Sequence, residues 1–365
     1  MGEFRLCYNK AKGGVLEASR KRVSILGLMK FLCSIIIMHY HFYATGTNHH
    51  FGSGSILVEF FFMITGYFTY SHFCKIKRMP KSYDVKAKNG IIYTFLKLKN
   101  LYLYIVIGII LGAGASMIGA KSILDIFVSI RSVLAELFFL TPLFDYQQTA
   151  VNGVTWFLAS LAIMLPLFVM VIQTKARNVL MIAFTILSLA LLSFRLNGTS
   201  FFCGIGRCAM CLMFGALIYE LARKLEACKL SKSKTVILSV VELLLIVGQF
   251  AAIFFSKSTS LSADKMVNYV SIVLIFFLNL TILLSGKTFF SNIHIRFFDY
   301  LEKISMVIYL LHVPFVITLN RLGLRGHLKA TLLFEAIVIV CSMLLFAIVS
   351  ALQKNAKNKP SKSRR

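Results

Sequence analysis

Charge is scarce in this chain, and acidic residues are the scarcer kind. Only 15% of the 365 residues are charged, and 40 Lys and Arg stand against 14 Asp and Glu. An ordinary soluble domain carries about 25% charge, so a water-facing globule of this length is excluded. No repeat of short period, no heptad array and no low-complexity stretch occurs apart from the basic tail KNAKNKPSKSRR. The one C-x-x-C pair, Cys208 and Cys211, lies inside a hydrophobic run without further ligands nearby in sequence. It reads as small apolar packing residues, not as a redox or metal site.

What the chain has instead is length after length of apolar sequence, 58% of it hydrophobic. Runs near 20 residues cross a hydrocarbon layer of about 30 Å. Ten such spans are predicted, at 23–43, 54–73, 101–119, 152–173, 179–194, 203–222, 236–255, 267–284, 304–319 and 331–352. The segment 123–144 is apolar but carries Asp125, Arg131 and Glu136. It is expected to lie at the interface or to re-enter, not to cross. The expected fold is all-α and integral to the membrane: a basic segment 1–22, a membrane domain 23–352 and a basic tail 353–365. The polar, basic 1–22 stretch is unlike a signal peptide, so the first span is expected to be retained. No large soluble domain fits in the loops, so any chemistry lies in or beside the bilayer.

The net charge of +26 raises the question of nucleic acid. Its distribution answers it. With the N-terminus inside, the inner segments hold thirty Lys and Arg and the outer loops eight. That is the positive-inside bias, with both termini cytoplasmic. Basic inner loops suit anionic lipid headgroups and phosphorylated cytosolic ligands, with no nucleic acid required.

Ionisable groups inside a membrane are costly and mark functional sites by default. In KFLCSIIIMHYHF, residues 30–42, Lys30 and His41 are eleven apart. At 100° per residue they share one helix face, roughly 16 Å apart along the axis, while His39 falls half a turn out of phase. Ser34 and Ile37 continue the stripe between them. Lys30 then sits in the inner half of the span, His41 near its outer end, and His39 reads as structural. The bland alternative is a lysine snorkelling inward and an interfacial histidine. Glu59, Trp156 and Arg207 also fall near the outer ends of their spans. Glu59 can orient a histidine or serve as a helix-start carboxylate. Arg207 can hold an anionic or polyhydroxyl group, or pair with Glu59. Trp156, the lone tryptophan, also suits an aromatic belt. Gly66 permits close helix packing. Ser305, Tyr309 and His312 recur at i, i+4, i+7 as one polar stripe facing the bundle interior. Asn197 heads an N-G-T sequon in an outer loop.

Together these stretches resemble the membrane acyltransferase-3 family. The shared order is a basic residue eleven before a histidine, then EFFFMITG at 59–66, WFL at 156–158, Arg207 with its glycine-rich span, and SMVIYLLH at 305–312. The resemblance covers about residues 20–350. It implies a bacterial O-acyltransferase, usually an O-acetyltransferase, of the cytoplasmic membrane, acting on surface polysaccharide, lipopolysaccharide or peptidoglycan. By resemblance, Lys30 stands where the family has an arginine, and His41 is the catalytic histidine. Glu59 matches the acidic residue before the FF motif. The family's R-x-x-R-x-Y-P pattern is not kept: Lys97 and Asn100 replace the arginines, and Leu103 stands at the proline.

The resulting expectation has acetyl-CoA as donor substrate, no tightly bound cofactor and no metal. His41 and Glu59 would be catalytic, and Lys30 would contact the donor. Arg207, Trp156 and His312 would contact a lipid-linked or surface polysaccharide acceptor. A rival from another class is a transporter or glycan flippase using the same buried groups as a proton or substrate path. Against it, no paired halves with matching broken helices are evident.

Overall fold

Backbone amides in hydrocarbon find no water, so a crossing segment must close its hydrogen bonds internally. The computed structural model follows that constraint. It describes residues 23–43, 53–75, 82–118, 123–141, 151–194, 200–255, 263–324 and 327–358. Among these, every regular element is helical: α1 (Ser24–Tyr43), α2 (Leu57–Cys74), α3 (Tyr83–Met117), α4 (Ile123–Leu137), α5 (Thr155–Ile172), α6 (Arg177–Phe194), α7 (Ser200–Ala227), α8 (Lys232–Phe255), α9 (Ala263–Leu283), α10 (Arg296–Arg321) and α11 (Leu328–Asn358). The 1–22 segment, the Asn197 sequon and residues 359–365 lie outside the described residues.

Ten of these helices stand where the sequence predicts spans, and α4 is the additional one. Seven are long and apolar enough to cross a bilayer: α1, α3, α5, α7, α8, α10 and α11. Helix α2 falls outside that set because it carries Glu59, His72 and several hydroxyls. It does not need a lipid-facing surface, because most of its residues are buried against other helices. The apolar stretches of α5, α7 and α10 are 61–67% buried, against 22% for α8 and α11. The outer pair therefore carries the lipid-facing rows, such as Leu244 and Leu344, while α2, α5, α7 and α10 form the centre.

Small residues bring the central helices together. A methyl on Gly66 of α2 would collide with the Leu212 backbone of α7. A methyl on Gly215 of α7 would meet the Met63 carbonyl in return. The expected close packing at Gly66 is thus a reciprocal glycine contact, as suits helices held by van der Waals packing in lipid. Helices α1 and α10 run parallel. Ser24 donates to Asp299 at 3.0 Å, Lys30 meets Glu302, and His41 stands beside His312.

One expectation needs correction. The third span was placed at 101–119, but α3 begins at Tyr83. Its 35 residues extend about 52 Å, well beyond a 30 Å hydrocarbon layer. Nothing breaks it: Leu103 occupies the place of the family's proline, so the backbone ladder runs through. Its N-terminal half is tied to α5, where Asn89 donates to Gln173 at 3.0 Å and Gly90 passes the Pro166 carbonyl. Helix α4 has 15 residues and stands outside the set long enough to cross. Its apolar residues Phe127, Ile130 and Leu134 face outward, and its polar residues Ser132 and Glu136 are buried. The helix is inverted relative to one floating on a soluble core, as expected when lipid is the solvent on its outer side.

Candidate active site

Residues from four helices gather around the Glu59–Arg207 pair. Glu59 is fully buried on α2, and a carboxylate there needs every lone pair used. Arg207 of α7 supplies two donors, Nε at 2.5 Å to Oε1 and Nη2 at 2.8 Å to Oε2. Tyr269 of α9 donates its hydroxyl to Oε1 at 2.7 Å. Arg207 Nη2 also reaches the Ser55 carbonyl at 2.9 Å. The two-pronged contact uses the planar fork that lysine lacks. On its other side the guanidinium lies over the Trp156 ring, 4.8 Å from the centroid. Gly204, one turn before Arg207, leaves space for that indole.

A second cluster is built on the α1–α10 pair. The His41 and His312 ring centroids are 5.1 Å apart and tilted by 37°. His312 is fully buried, and its Nδ1 lies 3.3 Å from the Ile308 carbonyl. A carbonyl can only accept, so Nδ1 carries the proton and Nε2 carries the lone pair. That Nε2 is buried with no hydrogen-bond partner among the described residues. A fixed tautomer with an open basic nitrogen is the arrangement a general base requires. Tyr309, one turn below, has its ring 5.9 Å from His312 and donates to the Val154 carbonyl at 3.3 Å.

The clusters are joined by aromatic contacts. Trp156 packs on Phe62, Phe62 on Phe157 at 4.5 Å, and Phe157 on Tyr309 at 5.6 Å. Phe62 comes from the EFFFM stretch, so that motif is the wall between the guanidinium and the imidazoles. Pro314 adds a local device. It cannot donate to the Leu310 carbonyl, which would otherwise be orphaned in a buried helix. Asn152 Nδ2 fills the vacancy at 2.9 Å, just before the start of α5.

The N-terminal half of the α1 face holds Lys30. Its Nζ pairs with Glu302 at 2.5 Å and lies 5.6 Å from the Phe68 ring centroid. Lys30 and His41 do share a face, and both look onto α10. His39 points instead to α11, with Nδ1 2.7 Å from Glu335. The structural reading of His39 fits that interhelical pair. The expected contact between Glu59 and His41 is not formed. Glu59 is saturated by Arg207 and Tyr269, and the imidazole beside His41 is His312. The pairing of Arg207 with Glu59 is the alternative that the geometry takes.

Sequence reasoning missed Tyr269, Asn152, Glu302 and Glu335. Tyr269 was findable, since it sits near the start of its span, as Glu59, Trp156 and Arg207 do. The others depend on which helices touch. Among the described residues, no group of three or more His, Cys, Asp or Glu is set to hold a metal ion. Cys208 and Cys211 are both buried as free thiols within α7.

Comparison with known protein families gives a match over most of the chain. The acyltransferase-3 profile, described as an acyltransferase domain, matches residues 25–352. No curated protein and no solved structure matches the chain.

Proposed function

The chain belongs to the acyltransferase-3 family, and on that premise we propose an O-acyltransferase that moves an acyl group, acetyl in the simplest case, from cytosolic acyl-CoA to a hydroxyl of a cell-surface glycan or its lipid-linked precursor. The observation carrying this reading is the parallel α1–α10 pair. One end of their shared face holds the Lys30–Glu302 pair, and the other holds the His41–His312 pair. A single interhelical seam thus links a basic group to two imidazoles along the direction an acyl group must travel. In this reading the chain crosses a bacterial cytoplasmic membrane ten times, with both termini cytoplasmic. Its basic inner loops then face the phosphates of the donor.

The chemistry follows from the groups present. An imidazole of the His41–His312 pair takes the proton from the acceptor hydroxyl as its oxygen attacks the thioester carbonyl. The tetrahedral adduct collapses, the carbon–sulfur bond breaks, and the departing thiolate takes that proton as CoA-SH. Arg207 has its Nε and Nη2 committed to Glu59 and Ser55, which leaves Nη1 to bind acceptor oxygens or the oxyanion. Glu59 acts as the residue that positions Arg207. Trp156 offers a ring beside the guanidinium for a sugar face. Lys30 attracts the donor at the inner end. The transporter reading is disfavoured by family membership.

The test is acyl transfer by purified protein, with radiolabelled acetyl-CoA and a glycan extract. An alkali-labile labelled ester is expected. His41→Ala and His312→Ala should each reduce the rate by about 10²–10⁴, the usual worth of positioned acid–base catalysis. Lys30→Ala should raise the donor KM. Full transfer in the His41→Ala, His312→Ala double variant would refute the assignment.

A further inference from the structure

The inner face of α4 holds polar atoms that the reaction described above does not use. Ser132 and Glu136 are one turn apart on α4, and each is about 1% exposed. Asn152 and Thr155, at the entry to α5, are fully buried. Glu136 Oε1 accepts from the Asn152 backbone N–H at 2.9 Å, which ties the two segments together. Four atoms remain without a hydrogen-bond partner among the described residues: Ser132 Oγ, Glu136 Oε2, Asn152 Oδ1 and Thr155 Oγ1. Buried polar atoms are ordinarily satisfied, so four orphans in one place call for an occupant. Burial raises the Glu136 carboxyl, with the Asn152 and Val151 amides and the nearby Thr155 hydroxyl pulling the other way.

The place of this cluster is informative. Between Asn152 and Thr155 lies Val154, whose carbonyl accepts from Tyr309, the ring beside His312. Next after Thr155 is Trp156, which stacks on Arg207. The cluster therefore backs onto both halves of the site. Its open atoms are hydroxyls, an amide oxygen and a carboxylate oxygen. All can accept hydrogen bonds and none is a cationic donor. That pattern rejects phosphate and carboxylate ligands and suits a molecule rich in O–H donors.

We propose that Ser132, Glu136, Asn152 and Thr155 form the seat for the hydroxyls of a carbohydrate acceptor, held under α4 against the imidazole pair. The inference rests on the acyltransferase reading and names where its second substrate sits. Helix α4 then serves as the outer wall of the seat, with its apolar face in lipid and its polar face on the sugar.

The experiment compares wild type with Ser132→Ala and Thr155→Val, with Thr155→Ser as the conservative rescue. Two readouts are taken on the full chain in detergent: steady-state transfer from labelled acetyl-CoA, and quenching of the lone Trp156 by soluble hexose and N-acetylhexosamine oligosaccharides. The expected result is an acceptor KM raised roughly fivefold in each variant, with donor KM unchanged and Thr155→Ser near wild type, as for one lost hydrogen bond. Unchanged acceptor KM and quenching alongside normal transfer would mean that water alone fills the seat, which overturns the proposal and leaves the acyltransferase reading intact. Saturable quenching that weakens in Thr155→Val, without any transfer by wild type, would uphold the seat and overturn the glycan-acylation reading. Absence of both signals in wild type would overturn the two together.

Discussion

Replacing Glu59 by alanine would leave the Arg207 guanidinium in a buried site with no counter-charge. The carboxylate is fully buried and takes three charge-assisted or phenolic hydrogen bonds, from Arg207 Nε, Arg207 Nη2 and Tyr269. Breaking a buried ion pair from one side costs about 3–5 kcal/mol, most of it the penalty on the charge left behind. Arg207→Ala should cost a similar amount for the mirror reason. The double variant removes both charges and strands neither. Its loss should therefore fall short of the sum of the two single losses by at least about 2 kcal/mol. Tyr269→Phe removes one hydrogen bond to a charged group and should cost about 1.5–3 kcal/mol. The assay is thermal or denaturant unfolding in detergent, with Trp156 fluorescence as reporter, since its ring lies 4.8 Å from the guanidinium. Strictly additive single losses would refute the reasoning, because independent residues cannot form the pair described. Loss of activity with unchanged stability in Glu59→Ala would also refute it, and would return Glu59 to a direct catalytic role.

Three further outcomes are expected. Asn152→Leu should destabilise by about 1–3 kcal/mol, because the Leu310 carbonyl loses its donor; adding Pro314→Ala restores an in-helix N–H and should recover part of that loss in the same unfolding assay. Gly66→Ala should cost about 1–3 kcal/mol through backbone collision at Leu212, read as a lower midpoint and reduced monodisperse yield, while Gly248→Ala, which meets nothing, should be neutral. The third concerns pH. Burial pushes the Glu136 carboxyl up from 4.5 to about 7, against the pull of the Asn152 and Val151 amides and the Thr155 hydroxyl. A raised acid holds its proton longer when folded than when unfolded, so its effect on stability is absent below about pH 4.5. Stability is then lost as pH rises to about 7, on the order of 3 kcal/mol, and is flat above. Glu136→Gln should flatten the difference in unfolding midpoint between pH 5 and pH 8. An unaltered difference would assign the pH dependence to other groups.

Much of the site could be read along the chain because membrane depth is a one-dimensional property. Span boundaries place each residue at an inner or outer level, and Glu59, Trp156 and Arg207 were grouped on that basis alone. Helix phase is also one-dimensional. The eleven-residue spacing put Lys30 and His41 on one face and His39 on another, and both statements hold against α10 and α11. Partner choice is different. Depth could not say whether Glu59 would meet His41 or Arg207, since all three stand at the same level. That was decided by the Gly66–Gly215 contact, which draws α2 onto α7, and by the aromatic wall from Phe62 to Tyr309 between the carboxylate and the imidazoles.

The amino-acid order by itself determined that the chain is helical and membrane-embedded, because lipid rejects charge and unpaired amides wherever they fall. It also determined which side chains are too costly to be there by accident. The tertiary structure alone decided which of them touch. It gave Arg207 and Tyr269 to Glu59, set the open Nε2 of His312 beside His41, turned the polar face of α4 inward, and filled the gap left by Pro314 with Asn152. The reason is physical. Burial cost is a property of a residue and its depth, whereas a hydrogen bond or ring contact requires two helices to arrive at one place. That arrival is set by small residues and shape across the whole bundle.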